Sequence, residues 1–233
     1  MDSSPLPQRL KDLLEADDFE DGLQSLCDVP LAKVLRPLLS ALCSLEEKIK
    51  WHAVTALGCW VAREARHDVE AGRNILRRLM WMLNEESGGI GWGVPEAMGE
   101  ILARHEGLAR EFTPFLVSYA RPNGNFLENE RLQAGVAWAI GRLGERAPEF
   151  LQSLEAQRYL LLYLDSPDAG VRGMAAWALG RLGGGKDLSR LEALCEDEGS
   201  CHLYESGRLT LHTVGELAHE AIQRIKSHSV SGP

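Results

Sequence analysis

The chain has 233 residues, of which 45% are hydrophobic and 25% charged, and its net charge is −9. These values are typical of a globular protein with a continuous core. The negative charge argues against nucleic acid or an anionic membrane surface as the partner, because both attract basic proteins. The chain has no apolar run of about 18 residues, so we expect no membrane-spanning segment.

The first residues, MDSSPLPQRLKDLL, contain no basic region followed by an apolar run, so we expect no secretory signal. The five cysteines are an odd number without a pairing pattern. This pattern indicates reduced thiols and a cytoplasmic protein. Cys27, Cys43 and Cys59 stand among apolar residues, and we expect them to be buried and unreactive.

Three regions follow one another along the chain. Residues 1–30 are predicted to form a cap of one or two short helices between Leu6 and Leu26. Residues 31–226 form a helical-repeat region, and residues 227–233 form a flexible polar tail.

The repeat region contains five copies of one pattern, of which the last is the weakest. The copies begin at Ile49, Ile90, Leu132, Val171 and Val214, at intervals of 41, 42, 39 and 43 residues. A period of about 40 residues is typical of a solenoid built from pairs of helices. Such solenoids mostly present binding surfaces, and few carry catalytic sites.

Each copy is predicted to be the second helix, called B, of a helical pair. Counted from the first residue as position 0, positions 4, 7, 8 and 11 are also small or apolar, and together they form one arc of a helix that must face a core. An amphipathic stretch before each B helix predicts the first helix of the pair, called A. The predicted A helices are Leu31–Cys43, Val69–Leu83, Leu108–Tyr119, Phe150–Leu164 and Leu188–Cys195. Pro37 and Pro114 are expected to kink two of them or to lie in a first turn.

The second copy replaces its first helical turn with the glycine-rich segment Ser87–Pro95. Its B helix is predicted to begin at Pro95, after a turn that presents Trp92. Amide groups at a helix N-terminus can hold an anion. The segment matches neither a dinucleotide fingerprint nor a P-loop, however, so we do not expect it to bind phosphate.

The third and fourth copies are regular. Asp168 is predicted to cap the B helix of the fourth copy, and the string from Asp168 to Gly183, DAGVRGMAAWALGRLG, resembles the HEAT repeat of the phycobilin-lyase-type HEAT-like family. GGIGWGVPEAMGEI and LQAGVAWAIGRLG also resemble a group of bacterial HEAT-repeat proteins. The resemblance covers Leu31 to Ile225. It implies an all-α fold, a right-handed α-solenoid (an α-α superhelix) of about five HEAT-like helical pairs, but not lyase activity.

The fifth copy follows an insertion, CEDEGSCHLYESGRLTLHTV, which contains the pattern of a small β-hairpin near residues 201–212. An isolated hairpin is marginally stable, so we expect this one to pack on the solenoid end. Cys195, Cys201, His202 and His212 fall in the insertion. Their spacing is not that of a zinc site, which favours an exposed loop. The pairs His105-Glu106 and His219-Glu220 occupy different repeat positions, so we expect no di-iron site.

The resemblance also places the B helices on the concave side of the solenoid. Positions 2, 6 and 10 of the B helices point away from the core, and we call this surface the B-helix face. Tryptophan and arginine are frequent there, as they are in binding hot spots. The candidate binding residues on or beside this face are Trp51, Trp92, Glu96, Glu100, Asn129, Trp138, Arg142, Trp177 and Arg181.

Two structural interpretations of these residues compete with a role in binding. Each tryptophan could instead fill the gap between successive B helices, and Arg142 and Arg181 could pair with acidic residues of the adjacent repeat. Position 9 is glycine in four copies: Gly58, Gly99, Gly141 and Gly180. Close packing of stacked repeats explains these glycines better than contact with a ligand.

We therefore predict a non-enzymatic HEAT-repeat scaffold or assembly factor that binds a protein or peptide and needs no cofactor or metal. One alternative is a lyase or chaperone acting on a cofactor-bearing protein, and another is a regulatory subunit of an enzyme complex. No Ser-His-Asp or Cys-His arrangement has an identifiable spacing. The oligomeric state is left open, a monomer included.

Overall fold

The structure is a computed structural model that describes residues 4–26, 28–84, 91–183 and 188–230. Cys27 and residues 87–90 of the predicted glycine-rich turn lie outside the described residues. Thirteen helices and one two-stranded hairpin lie within them. In chain order they are α1 (Leu6–Glu15), α2 (Phe19–Ser25), α3 (Leu31–Ala41), α4 (Glu47–Ala65), α5 (Val69–Leu83), α6 (Val94–Arg104), α7 (Glu106–Ser118), α8 (Glu130–Gly144), α9 (Pro148–Ser153), α10 (Ala156–Tyr163), α11 (Ala169–Leu182), α12 (Leu188–Glu192), β1 (Ser200–Glu205), β2 (Arg208–Thr213) and α13 (Val214–Val230).

The helices form two compact units. The first unit comprises Met1–Leu108 and the hairpin tip Tyr204–Leu209, and the second comprises Ala109–Leu203 and Thr210–Pro233. Helices α4 and α6 are the B helices of the first unit, and α8, α11 and α13 are those of the second. Neighbouring B helices pack directly against one another within each unit, as expected for stacked helical pairs.

The predicted core positions of the B helices are buried. In the fourth copy Val171, Ala175, Ala178, Leu179 and Leu182 are all buried, and the corresponding residues of the third and fifth copies are buried as well. The first copy differs only at Ile49, which is half-buried. The repeat pattern therefore predicted correctly which arc of each helix faces the core.

The two short helices α1 and α2 pack on the first B helix. His52 of α4 stacks on Phe19 of α2, with ring centroids 4.1 Å apart. The Nδ1 atom of His52 lies 2.9 Å from the carbonyl oxygen of Leu14 at the end of α1. Burial lowers the pKa of His52, so the ring is held as a neutral packing element.

Side-chain caps fix the starts of several helices. Asp168 accepts a hydrogen bond from the backbone N–H of Val171 at 2.9 Å, which confirms its predicted role at the start of α11. Asp68 caps α5 and Asn129 caps α8 in the same manner. Each side chain satisfies N–H groups that have no partner inside the helix.

The A helices depart from the prediction in the fourth pair. The segment predicted as one helix, Phe150–Leu164, is divided into α9 and α10 because Glu155 adopts a left-handed conformation with φ of 56°. Pro37 and Pro114 lie inside α3 and α7. Helix α13 continues to Val230, so the first residues of the predicted flexible tail are helical.

The predicted hairpin is present, and its two strands extend slightly beyond the predicted residues 201–212. Ser206 and Gly207 form the turn with φ values of 51° and 77°. Two successive positive φ values are those of a type I′ turn, whose twist suits a tight hairpin.

Cys201 in β1 is buried, so the prediction of an exposed loop is wrong at this residue. Cys43 is exposed and Cys59 half-buried, which corrects the expectation that both thiols are fully buried.

Candidate functional site

In the first unit the B-helix face of α4 is covered by the hairpin tip. The ring of Tyr204 is stacked on the indole of Trp51, with centroids 4.9 Å apart and an interplanar angle of 8°. The hydroxyl of Tyr204 is hydrogen-bonded to the hydroxyl of Thr55 at 3.2 Å. Burial raises the pKa of Tyr204. Trp51 and Thr55 are positions 2 and 6 of the first copy, so the predicted face binds an aromatic side chain of the same chain.

Two predicted acidic site residues of the first unit are buried in ion pairs. Glu96 lies 3.7 Å from the ammonium group of Lys50, which also pairs with Glu47 at 2.7 Å. Glu100 pairs with Arg104 at 2.6 Å. Both carboxylates are more than nine-tenths buried. Their contacts are therefore internal, and they do not form an exposed groove wall.

The start of α6 agrees closely with the prediction. The helix begins at Val94, with Pro95 in its first turn, and Gly93 precedes it with φ of 70°. A Cβ atom at Gly93 would lie 2.8 Å from the carbonyl oxygen of Leu42, so the close approach and the positive φ both require glycine. Trp92 is half-exposed beside this turn.

In the second unit Trp138 and Trp177 stack on each other. Their ring centroids are 6.4 Å apart with an interplanar angle of 7°, and the two residues are only 3% and 4% exposed. They connect α8 to α11, which is the packing alternative considered from the sequence. The expectation of an exposed tryptophan ladder is therefore wrong for these two residues and for Trp51, which is 4% exposed.

Arg181, at position 10 of the fourth copy, forms the predicted link between neighbouring repeats. Arg181 of α11 pairs with Glu145, at the end of α8, at 3.2 Å. Arg142 pairs with the same carboxylate at 3.1 Å. The guanidinium of Arg181 also lies over the ring of Trp177, 4.9 Å from its centroid, a cation–π contact.

The position 9 glycines permit close helix packing. A Cβ atom at Gly180 would lie 2.7 Å from the Cα atom of Ala221 in α13, and one at Gly58 would lie 2.5 Å from the Cγ atom of Glu100 in α6. At Gly141 the added atom would overlap the ring of Trp177. The packing interpretation is confirmed at these three positions.

Asn129 has a structural role in the second unit. Its side-chain oxygen accepts hydrogen bonds from the backbone N–H groups of Arg131 and Leu132, at 3.0 and 3.4 Å. Asn129 is one of the predicted binding residues, and the contacts of its side chain are those of a helix cap.

The second unit contains a cavity on the B-helix face between α11 and α13, with a volume of about 420 Å³. Trp177 and Arg181, both predicted site residues, line it together with Leu217, Glu220 and Arg224. Arg224 is not among the predicted binding residues. It occupies position 10 of the fifth copy, so carrying the repeat register into the weakest copy would have found it.

The base of the hairpin is attached to α11. The Sγ atom of Cys201 fills the space beside Gly173, which is position 2 of the fourth copy. Burial raises the pKa of the Cys201 thiol to about 11. Next to it, Arg172 donates two hydrogen bonds to Asp197, at 2.7 and 3.0 Å. The hairpin insertion is thus held by one packed thiol and one bidentate ion pair.

Neither a metal cluster nor a membrane span is found in the described residues. Across residues 4–26, 28–84, 91–183 and 188–230, no group of three or more histidine, cysteine, aspartate and glutamate side chains is placed to hold a metal ion. Among the helices that the structure describes, none combines the length and the apolar character needed to cross a bilayer.

Comparisons with known proteins agree with this architecture. Residues 125–200 match the family model for HEAT repeats. A search of curated proteins found no match. The phycobilin-lyase-type assignment within the HEAT repeats stays a prediction.

Several solved structures that resemble the chain are designed or engineered proteins. A designed armadillo repeat protein in complex with the peptide (KR)4 is 20% identical, with a TM-score of 0.54 over 95% of this chain and 100% of that one. Computationally designed armadillo repeat proteins for modular peptide recognition are 19% identical, with a TM-score of 0.50 over 94% and 99% of the two chains. An engineered protein of a structural genomics consortium is 16% identical, with a TM-score of 0.53 over 96% and 98%. At these identities the likeness shows the fold, an α-solenoid of HEAT or armadillo type.

Proposed function

We propose that this chain is a non-enzymatic scaffold or assembly factor that binds a protein or peptide segment on its B-helix face. The observation that carries the proposal is the position of Tyr204 on α4. Tyr204 belongs to a tight peptide turn, and it contacts Trp51 and Thr55 at positions 2 and 6 of the first copy. This face therefore accepts an aromatic side chain from a segment that is distant in sequence.

The chemistry of this contact is that of peptide recognition. The stacked rings contribute apolar burial and a preferred geometry, and the hydroxyl bond fixes the orientation of the phenol. Aromatic residues seated in such surroundings are typical hot spots of protein interfaces. The designed armadillo repeat protein that carries (KR)4 supports the same use of a similar fold.

The proposal can be tested by selecting peptides from a display library on three versions of the chain. These are the unchanged chain, Tyr204→Ala, which opens the Trp51 position, and Leu211→Ala, which changes an exposed residue of the same hairpin. We expect Tyr204→Ala to enrich tyrosine- or tryptophan-containing peptides that bind the other two versions more weakly.

Two results would contradict the proposal. Failure to enrich any peptide on all three chains would argue against a peptide-binding surface. Equal affinity of the selected peptides for Tyr204→Ala and Leu211→Ala would show that the B-helix face of α4 is not the binding position. A chromophore or metal absorbance band in the purified chain would favour the lyase or chaperone interpretation instead.

A further inference from the structure

A cleft in the second unit lies between the loop before α8 and the end of α10 with the turn that follows it, and its volume is about 260 Å³. Two of its walls are Phe126 and Leu162, which are 37% and 49% exposed. Pro122 and Pro167 also line it, and both are exposed. The apolar surface of this cleft is therefore accessible. Exposed apolar side chains that are grouped in a concave place are typical of interaction sites.

Hydrogen bonds hold the backbone on both sides of this cleft. On one side the Nε2 atom of Gln133 donates to the carbonyl oxygen of Leu127 at 2.9 Å. On the other side the guanidinium of Arg172 donates to the carbonyl oxygens of Ser166 and Pro167, both at 2.9 Å. A cleft whose walls are already fixed needs little ordering when a ligand binds, which favours affinity.

The ring of Phe126 is also held in place. It packs edge-on against the ring of Tyr163, with centroids 6.4 Å apart and an interplanar angle of 60°, an arrangement that aromatic pairs prefer. Tyr163 is buried, whereas Phe126 keeps part of its surface exposed at the cleft. The aromatic wall of the cleft is therefore both fixed and accessible.

The charged residues that line this cleft are acidic. They are Glu130 and Asp165, and no basic side chain is among the described residues that line it. Asp165 already pairs with Arg190 at 2.7 Å, whereas Glu130 is exposed in the first turn of α8. The whole chain has a net charge of −9. The local and the overall charge both favour a basic group as the partner of Glu130.

The volume of the cleft indicates what it can hold. Small-molecule sites usually have volumes of about 300–1,000 Å³, and this cleft is below that range. A space of this size suits one large side chain of a longer segment. The neighbours of that side chain would lie at the rim, where Glu130 is exposed.

We infer that this cleft binds a segment of a partner protein in which a large apolar side chain stands next to a lysine or arginine. The apolar side chain packs between Phe126 and Leu162, and the basic group pairs with Glu130. None of the residues that line the cleft occupies position 2, 6 or 10 of a B helix. The cleft is thus a second interaction surface, beyond the B-helix face of the proposed function.

The test uses a short labelled peptide in which one leucine has a lysine on each side and all other residues are glycine and serine. Matched peptides replace the leucine by serine or both lysines by glutamate. In fluorescence anisotropy with the full chain, the serine peptide should bind roughly tenfold more weakly, because the apolar burial of leucine is lost. The glutamate peptide should also bind more weakly, and added salt should reduce its difference from the lysine peptide.

Leu162→Ala removes one apolar wall at an exposed position of α10, and it should lower the affinity for the leucine peptide roughly tenfold. Leu211→Ala is the matched control, because Leu211 is exposed on β2 and does not line the cleft. It should leave the affinity unchanged.

Glu130→Gln should lower the affinity for the lysine peptide roughly threefold, which is typical of losing an exposed ion pair, and should weaken its dependence on salt. Glu149→Gln is the matched control. Glu149 is likewise exposed in the first turn of a helix, α9, and does not line the cleft.

Equal binding of the leucine and serine peptides, or an unchanged affinity in either Leu162→Ala or Glu130→Gln, would overturn the inference. Absence of binding by the leucine peptide would overturn it as well. If sedimentation shows a dimer of the unchanged chain that Leu162→Ala dissociates, a second copy occupies the cleft and the inference is wrong. The proposal for the B-helix face is tested separately, through Tyr204→Ala in the display selection.

Discussion

Trp51 and Tyr204 lie in parallel planes, 4.9 Å apart at their centroids, although one belongs to the first B helix and the other to the hairpin insertion. The contact buries the indole and joins the hairpin tip to the first unit. It has consequences that can be measured separately for the ring and for the hydroxyl.

Tyr204→Ala should release the hairpin tip from α4, because the stack and the buried ring are both lost. Acrylamide quenching of tryptophan fluorescence should increase as Trp51 becomes accessible. Tyr204→Phe retains the ring and loses the hydroxyl that is bonded to Thr55, so quenching should stay the same while the free energy of unfolding falls by about 1 kcal/mol. Equal quenching in both variants would show that the ring does not hold the tip.

Trp138→Ala should lower the free energy of unfolding by about 3–5 kcal/mol, which is typical of removing a large buried aromatic side chain. Trp81→Ala is the control, since Trp81 is 63% exposed on α5, and a surface change of this kind is usually worth less than about 0.5 kcal/mol. Denaturant unfolding followed by circular dichroism compares the two. A small effect of Trp138→Ala would revive the interpretation of this residue as part of an open groove.

Gly180→Ala should destabilise the second unit by about 1–3 kcal/mol, because the added methyl group would meet the backbone of Ala221 and force α13 outward. Gly107→Ala in the first turn of α7 meets only the ring of His105, at 3.3 Å. This contact is with a side chain and is longer than the one at Gly180, so the helix propensity of alanine offsets part of its cost. Gly107→Ala should therefore change the melting temperature much less than Gly180→Ala does.

Asn129→Ala should lower the free energy of unfolding by about 1 kcal/mol, since the bonds to the N–H groups of Arg131 and Leu132 are lost. Asn129→Asp keeps an acceptor at the same place and should retain the stability of the unchanged chain. Neither variant should alter the binding of the selected peptides. Loss of binding in Asn129→Asp, with stability retained, would restore the prediction that this residue contacts a partner.

The ion pair of Arg172 and Asp197 predicts that the free energy of unfolding decreases at low pH. The hydrogen bonds from Arg172 lower the pKa of Asp197 below its usual value, so the pair stabilises the folded chain above the unfolded pKa of about 3.9. The contribution is lost as the pH falls through the lowered folded pKa. The difference in unfolding free energy between the unchanged chain and Asp197→Asn should be constant near neutral pH and shrink under acid. A constant difference down to low pH would contradict the ion-pair explanation.

The sequence predicts the repeat register, the buried arc of each B helix, the Asp168 cap and the hairpin, because each of these depends on short-range periodicity or turn chemistry. It does not predict the burial of Trp138. A helical wheel places this residue away from its own core but cannot show that Trp177 of the next B helix covers it. The position of Tyr204 on Trp51 is likewise a long-range contact, and the left-handed Glu155 that divides α9 from α10 has no glycine to mark it.

The hairpin turn at Ser206 and Gly207 also sets a limit on changes in chain length. In β1 the buried residues Cys201 and Leu203 alternate with exposed ones, and Tyr204 follows on the opposite face of the strand. One residue inserted between Cys201 and Tyr204 would turn one of these two side chains to the other face of the strand. Either the thiol would lose its contact with Gly173 or the phenol would lose its contact with Trp51. Most surface loops tolerate insertions and deletions. In this hairpin a change of one residue would instead remove a buried contact, although the hairpin is an insertion in the repeat pattern.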